Sequence, residues 1–186
     1  MSVIGFSKKF PHHVDYMETR TNFQERILKA CHDYGLGDIT EYLNTNDDLQ
    51  KENLFLMQPK IHTMRKMGKR KFKKGGLLHP STGVRSKEQF QFAPILEVVK
   101  VETVEFIWTD ESNAHRNLYI KIGKLGFEAA STIGGMVVWT SPELKALMVN
   151  DGFSSARFFL NWFKDSEKYD LIYWVDYTYS LEETGD

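Results

Sequence analysis

The stretch Ile95-Leu-Glu-Val-Val-Lys-Val-Glu-Thr-Val-Glu-Phe-Ile-Trp108 decides the fold class. β-Branched and aromatic residues occur throughout it, and such side chains fit a pleated, half-buried surface, so the run reads as one strand. Phe90 and Phe92 lead into it as far as Pro94. Downstream, Leu118 to Ile122, Met136 to Trp139 and Tyr169 to Tyr177 read as further strands. Asn113 to Arg116 and the Gly-rich Gly123 to Gly135 read as loops, the second without the spacing of a phosphate-binding P-loop. Upstream, Val3 to Phe10 reads as a strand ended by Pro11, another begins near Ile61, and a third begins at Leu77-Leu78, with Ser81-Thr-Gly83 as a turn.

Helices are few and short. Thr21-Asn22 caps one whose stripe is Phe23, Ile27, Ala30, Cys31 and Tyr34, with Gly35 as its stop. Ser141-Pro-Glu143 starts a second by hydroxyl cap, first-turn proline and an acid on the helix dipole. Leu144, Leu147 and Met148 are its buried stripe, and Asp151-Gly152 breaks it. Ser154 or Ser155 then caps a third helix, whose Phe158, Phe159, Trp162 and Phe163 read as core. Leu36 to Gln58, with its break at Asn44 to Asp48, reads as an insertion holding two short helices. Many short strands with few helices predict an α+β fold: a small β-barrel with flanking short helices. A single domain covers 1–180, with the insertion at about 36–58 and a loose tail at 181–186.

The chain has 186 residues, 41% hydrophobic and 13% aromatic, enough for a packed core. Its one cysteine, Cys31, excludes an internal disulfide and a cysteine-based zinc cluster, and suits a reducing compartment. No apolar run reaches the roughly 18 residues that cross a bilayer. The start, MSVIGFSKKF, is short and interrupted by charge, unlike a signal peptide. A soluble, cytoplasmic protein with no membrane partner is expected. His12-His13-Val-Asp15 reads as a surface loop rather than a ligand set, because neighbouring side chains on extended backbone point opposite ways. No metal or cofactor is predicted.

Charge is segregated. Pro59 to Lys87 holds ten Lys or Arg and no Asp or Glu, while the whole chain sums to −1, leaving −11 elsewhere. A basic stripe on an acidic body is suited to phosphate. In a strand from Ile61, Thr63 and Arg65 share one face and His62 and Met64 the other, with Lys60 at the strand's mouth, free to bend toward Thr63. Orientation away from Thr63 makes His62 packing or surface rather than a base. The densest charge, Lys69 to Lys74, is a loop between Gly68 and Gly75-Gly76. Its one aromatic, Phe72, offers little stacking, so contacts there are chiefly ionic and salt-sensitive.

Lys60-x-x-Thr63-x-Arg65 after a helix, then strands, then Asp151-Gly-Phe153-Ser and a closing strand resemble the ASCH family, a PUA-like β-barrel related to RNA-binding domains. The wording IGFSKKFP, PKIHTMR, GVRSK and NDGFSS is similar to the phage-borne type. The likeness covers most of the chain except Gly35 to Gln58 and the 123–135 segment. It implies a cleft at one barrel end that takes RNA, a nucleobase or a modified nucleoside. Some family members are acetylcytidine amidohydrolases using a Lys, a Thr and a Glu. The matching positions here are Lys60, Thr63 and Asp151, the last shorter by one methylene, a misplacement of about 1 Å or more.

On that resemblance Thr63 attacks an amide carbonyl, Lys60 takes its proton if its pKa falls toward neutrality, and Asp151 orients Lys60 or passes a proton on. Arg65 and Arg85 hold a phosphate or base edge, with Lys66, Lys69, Arg70 and Lys71 adding charge. The alternative role for Asp151 is an ion pair with Lys60 or Arg65 that ties the late helix to the barrel. Three functions stay open: a module binding RNA or a modified nucleoside, an amidohydrolase of an N-acylated cytidine, and a phage protein that binds a host factor.

Overall fold

The computed structural model describes residues 2–8, 21–46, 49, 51–68, 71–110 and 114–180. The fold is α+β. A curled, six-stranded antiparallel sheet runs β2 (His62–Lys66), β10 (Lys168–Tyr173), β6 (Lys100–Asp110), β7 (His115–Ile122), β8 (Leu125–Ile133) and β9 (Met136–Thr140). Register shifts beside Leu118 and Ser131 mark bulges, which bend and twist a sheet locally. A smaller sheet pairs β1 (Ser2–Gly5) in parallel with β3 (Leu77–Thr82), which also pairs antiparallel with β4 (Phe90–Gln91) and β5 (Leu96–Glu97).

The run at 95–108 is two strands rather than one. Val98 N donates to Gly76 O and Val99 N to Tyr173 O, so the chain leaves one sheet and joins the other at this dipeptide. Val98 is wholly buried at the crossing. Strand β10, between β2 and β6, is buried from Tyr169 to Tyr173, as expected of a strand covered on both faces.

The 123–135 segment is corrected from loop to strand. Three of its four glycines sit at the ends, at the turns Gly123-Lys124 and Gly134-Gly135, where positive φ joins β7, β8 and β9 as hairpins; Gly126 lies within β8. Between them β8 is paired on both sides, and that pairing overrides the weak strand preference of its Gly and Ala. Ser81 and Thr82 likewise belong to β3, leaving the turn to begin at Gly83. Arg116 lies within β7.

Helix α1 (Phe23–Asp33) carries the expected stripe except for Tyr34, which is exposed. Helices α2 (Thr40–Thr45) and α3 (Lys51–Leu54) fill the 36–58 stretch, and Ile39, Leu49 and Leu54 join the core. In α4 (Pro142–Asn150), Ser141 Oγ accepts from Leu144 N at 3.0 Å, the expected cap. Ser155 precedes α5 (Ala156–Trp162) without a side-chain cap bond. Phe153, Phe159, Phe163, Phe106 and Tyr169 pack ring on ring at 4.8–6.0 Å, so the late aromatics are core. No helix among the described residues is long and apolar enough to cross a membrane.

Candidate functional site

The site begins with the way α4 ends. Asp151 is the C-cap, Gly152 follows at φ +89°, and Gly152 N and Phe153 N donate back to Val149 O and Met148 O. This is a Schellman stop, with Phe153 as the apolar anchor. The Asp-Gly-Phe triplet thus has a structural reason that also aims the Asp151 carboxylate at the start of β2. A Cβ on Gly152 would lie 3.0 Å from a Phe23 ring carbon and 3.1 Å from Lys60 Cδ.

Lys60 enters the same space. Its backbone is fixed by Lys60 N to Arg26 O at 2.9 Å and by Trp174 Nε1 donating to Lys60 O at 3.0 Å. Its side chain is 1% exposed, and Nζ donates to the backbone O of Asp151 and, at 2.7 Å, to Oδ1. The same Oδ1 accepts from Met64 N at 3.2 Å. His62 Nδ1 lies 3.4 Å away, and His62 Nε2 meets Tyr179 OH at 2.6 Å, whose oxygen also accepts from Asn150 Nδ2. Lys60 therefore does not bend toward Thr63; the ion-pair alternative is what the geometry shows. His62 is packing, and it packs against Asp151.

Burial controls the titration of this group. Desolvation lowers the Lys60 pKa to about 8, outweighing the opposing pull of Asp151, with Arg65 and Arg26 adding smaller repulsions. Burial also lowers His62, against Asp151. Burial alone would raise the Asp151 carboxyl, but Lys60 and His62 prevail and hold it below its ordinary value. The Lys60 ε-carbon is expected to titrate near pH 8 by carbon NMR rather than at 10.5. Between those values the unfolded chain holds a proton that the folded chain has released, so this group's contribution to stability rises with pH across that window. A resonance that titrates at the ordinary lysine position would contradict the buried geometry.

Thr63 is buried, and it lines with Lys60, Asp151, Arg65 and the rings of Phe6, Phe23, Phe153 and Trp162 a cavity of about 40 Å³. That is room for about one to three waters, far below the roughly 300 Å³ at which ligand pockets begin. Among the described residues the Thr63 hydroxyl makes no hydrogen bond.

Arg65 connects this cavity to the surface. Its guanidinium lies over Phe6 at 4.9 Å and Nη2 donates to Gly5 O at 2.6 Å. It also lines an open groove of about 490 Å³ with Lys66, Phe72, Val84 and Arg85. Among the described residues no carboxylate lines this groove. A second groove of about 660 Å³ shares Gly5 and Val84 with it and adds Lys8, Thr82 and Glu88. Lys66 is exposed and pairs with Glu167; Lys71 is exposed outside the groove lining. Lys69, Arg70, His12, His13, Asp15 and the 181–186 tail lie outside the described residues. Among those described, no group of three His, Cys, Asp or Glu is placed to hold a metal ion.

The structure thus sorts the predicted residues into two sets: Lys60, Thr63 and Asp151 around an inner cavity, and Lys66 and Arg85 in an outer groove, with Arg65 in both. Sequence reasoning missed Tyr179, Asn150, Trp174 and Phe6; Asn150 and Phe6 stand inside the NDGFSS and IGFSKKFP stretches but were given no role, and Tyr179 and Trp174 stand in none of those stretches. Compared with family models, with curated proteins and with solved structures, the chain finds no match in any of the three.

Proposed function

We propose that this chain is an ASCH-like, PUA-type domain that binds RNA or a modified nucleotide along the outer groove. The observation that carries the reading is convergence. Arg65 and Lys66 on β2 and Arg85 in the turn after β3 meet in one concavity without a lining acid among the described residues, on a chain whose net charge is −1. Cations gathered from separate elements against the chain's acidic bias favour a polyanion. The curled antiparallel sheet fits the PUA-like reading.

The test is a titration of fluorescent single-stranded RNA against the wild type and against Lys66→Ala/Arg85→Ala. Binding that weakens in the variant and in salt supports the proposal, and affinity indifferent to both overturns it. A second reading, an amidohydrolase of N-acylated cytidine, has one observation in its favour: an amine lowered to about 8 shares a cavity with Thr63. Against it, Lys60 Nζ is committed to Asp151 and the cavity is too small for a nucleobase. Turnover of acetylcytidine that disappears in Thr63→Ala would favour this second reading over the first.

A further inference from the structure

We propose that Arg65 and Arg85 form a clamp for one phosphate group, so that the groove selects nucleotides or a phosphodiester strand over free nucleosides. The inference rests on the nucleic-acid reading above and narrows its ligand.

Arg65 is held from behind. Its guanidinium is pinned on the Phe6 ring, one nitrogen is tied to Gly5 O, and Nε is buried without a partner among the described residues. A planar guanidinium fixed in this way, with Nε enclosed, offers its other Nη N–H groups in a fixed direction to the oxygens of a phosphate.

Arg85 supplies the second cation at a conformational cost. Its φ is +72°, in the left-handed region that a residue with a Cβ avoids. Among the described residues the other positive-φ positions are glycines and Asn22. Asparagine tolerates this region; arginine adopts it only at a cost. The Arg85 side chain is exposed, so packing does not explain its presence, and glycine would remove the strain. An arginine kept in a strained turn, facing a groove, is accounted for by what its guanidinium does there. Lys66 is balanced by Glu167, whereas neither Arg65 nor Arg85 forms an ion pair among the described residues. Those two are the cations the groove has free for a ligand.

The experiment compares wild type, Arg85→Lys and Arg85→Gly in thermal melts and calorimetric titrations with cytidine, cytidine 5′-monophosphate, inorganic phosphate and a short single-stranded RNA. Arg85→Gly is expected to melt no lower than wild type, and higher by a few degrees if the strain is fully relieved. It should bind the monophosphate and the RNA about tenfold or more weakly. Arg85→Lys should recover part of that loss, and cytidine should bind no better than background to any of the three. RNA bound equally by wild type and Arg85→Gly would overturn the clamp while leaving the nucleic-acid reading standing. Inorganic phosphate bound in an Arg85-dependent way, without RNA or monophosphate binding, would keep the clamp and overturn the nucleotide as its source. Failure of every phosphate-bearing probe to bind would overturn the clamp itself, as would a lower melting temperature for Arg85→Gly its strain argument.

Discussion

Asp151→Ala is expected to destabilise the fold by about 3–5 kcal/mol, the usual cost of leaving one partner of a buried ion pair uncompensated. The Lys60 side chain is 1% exposed, with Nζ over the rings of Phe6 and Phe23 in a cavity that Phe153 and Trp162 also line, and Asp151 Oδ1 is its charged partner. The same carboxylate also holds Met64 N, so its removal takes the acceptor from a backbone N–H of strand β2. Removing the charge on both sides should be far milder. Lys60→Met/Asp151→Ala is expected to recover much of the loss, because a thioether suits an aromatic cavity and the Lys60 ammonium is no longer left without its partner. Chemical denaturation of the wild type, both single variants and the double variant gives the full cycle. An Asp151→Ala loss within 1 kcal/mol, or no recovery in the double variant, would contradict the pairing. Acid should act in the same direction. The Asp151 carboxyl is held below its ordinary 3.8, so its stabilising contribution is present above that value and is lost as pH falls through the lower folded pKa.

Gly152→Ala is the second large effect, expected at about 3 kcal/mol, from the strain of a Cβ at positive φ and from overpacking. At φ +89° the backbone is one that glycine adopts without strain, and the new methyl would press on Phe23 and on Lys60 Cδ. Lys60 cannot swing away without leaving Asp151, so relief at one contact breaks the other. Gly135, also at positive φ but with open space around its Cβ position, is the control: Gly135→Ala carries the backbone strain alone and should cost about 1 kcal/mol. Equal losses at the two positions would show that packing against Lys60 contributes nothing.

How much of this was legible in the sequence depends on what kind of signal each element leaves. Helix α4 was legible because Ser141, Pro142 and Glu143 each act on the local backbone, and its stop at Asp151-Gly152 has the same local logic. Strand β6 was legible from its β-branched and aromatic run. The crossing at Val98-Val99 was not, since two valines that change sheets look like two valines within a strand. Strand β8 was hidden because its Gly126, Ala129 and Ala130 carry little strand preference of their own and its neighbours place it. At the site, alternation correctly gave faces but not what packs on each face. His62 was rightly turned from Thr63, yet Asp151 at the end of α4 lies 3.4 Å from His62 Nδ1 and also lines the cavity that Thr63 lines. Tyr179, beyond the closing strand, reaches His62 through tertiary packing, which leaves no local mark. The basic window was legible as charge, but only the fold could separate Arg65, Lys66 and Arg85 in the groove from Lys71 outside its lining.

The measurement that bears most directly on the central claim is the affinity of the wild type for single-stranded RNA at 50 and 200 mM salt. Arg65 and Arg85, the groove cations without an ion-pair partner among the described residues, displacing counterions from a single strand predict an affinity loss of about sevenfold across that fourfold change. For Lys66→Ala/Arg85→Ala the predicted loss shrinks to about threefold, from a weaker starting affinity. A salt dependence the same in wild type and variant would place the RNA elsewhere on the molecule and contradict the groove.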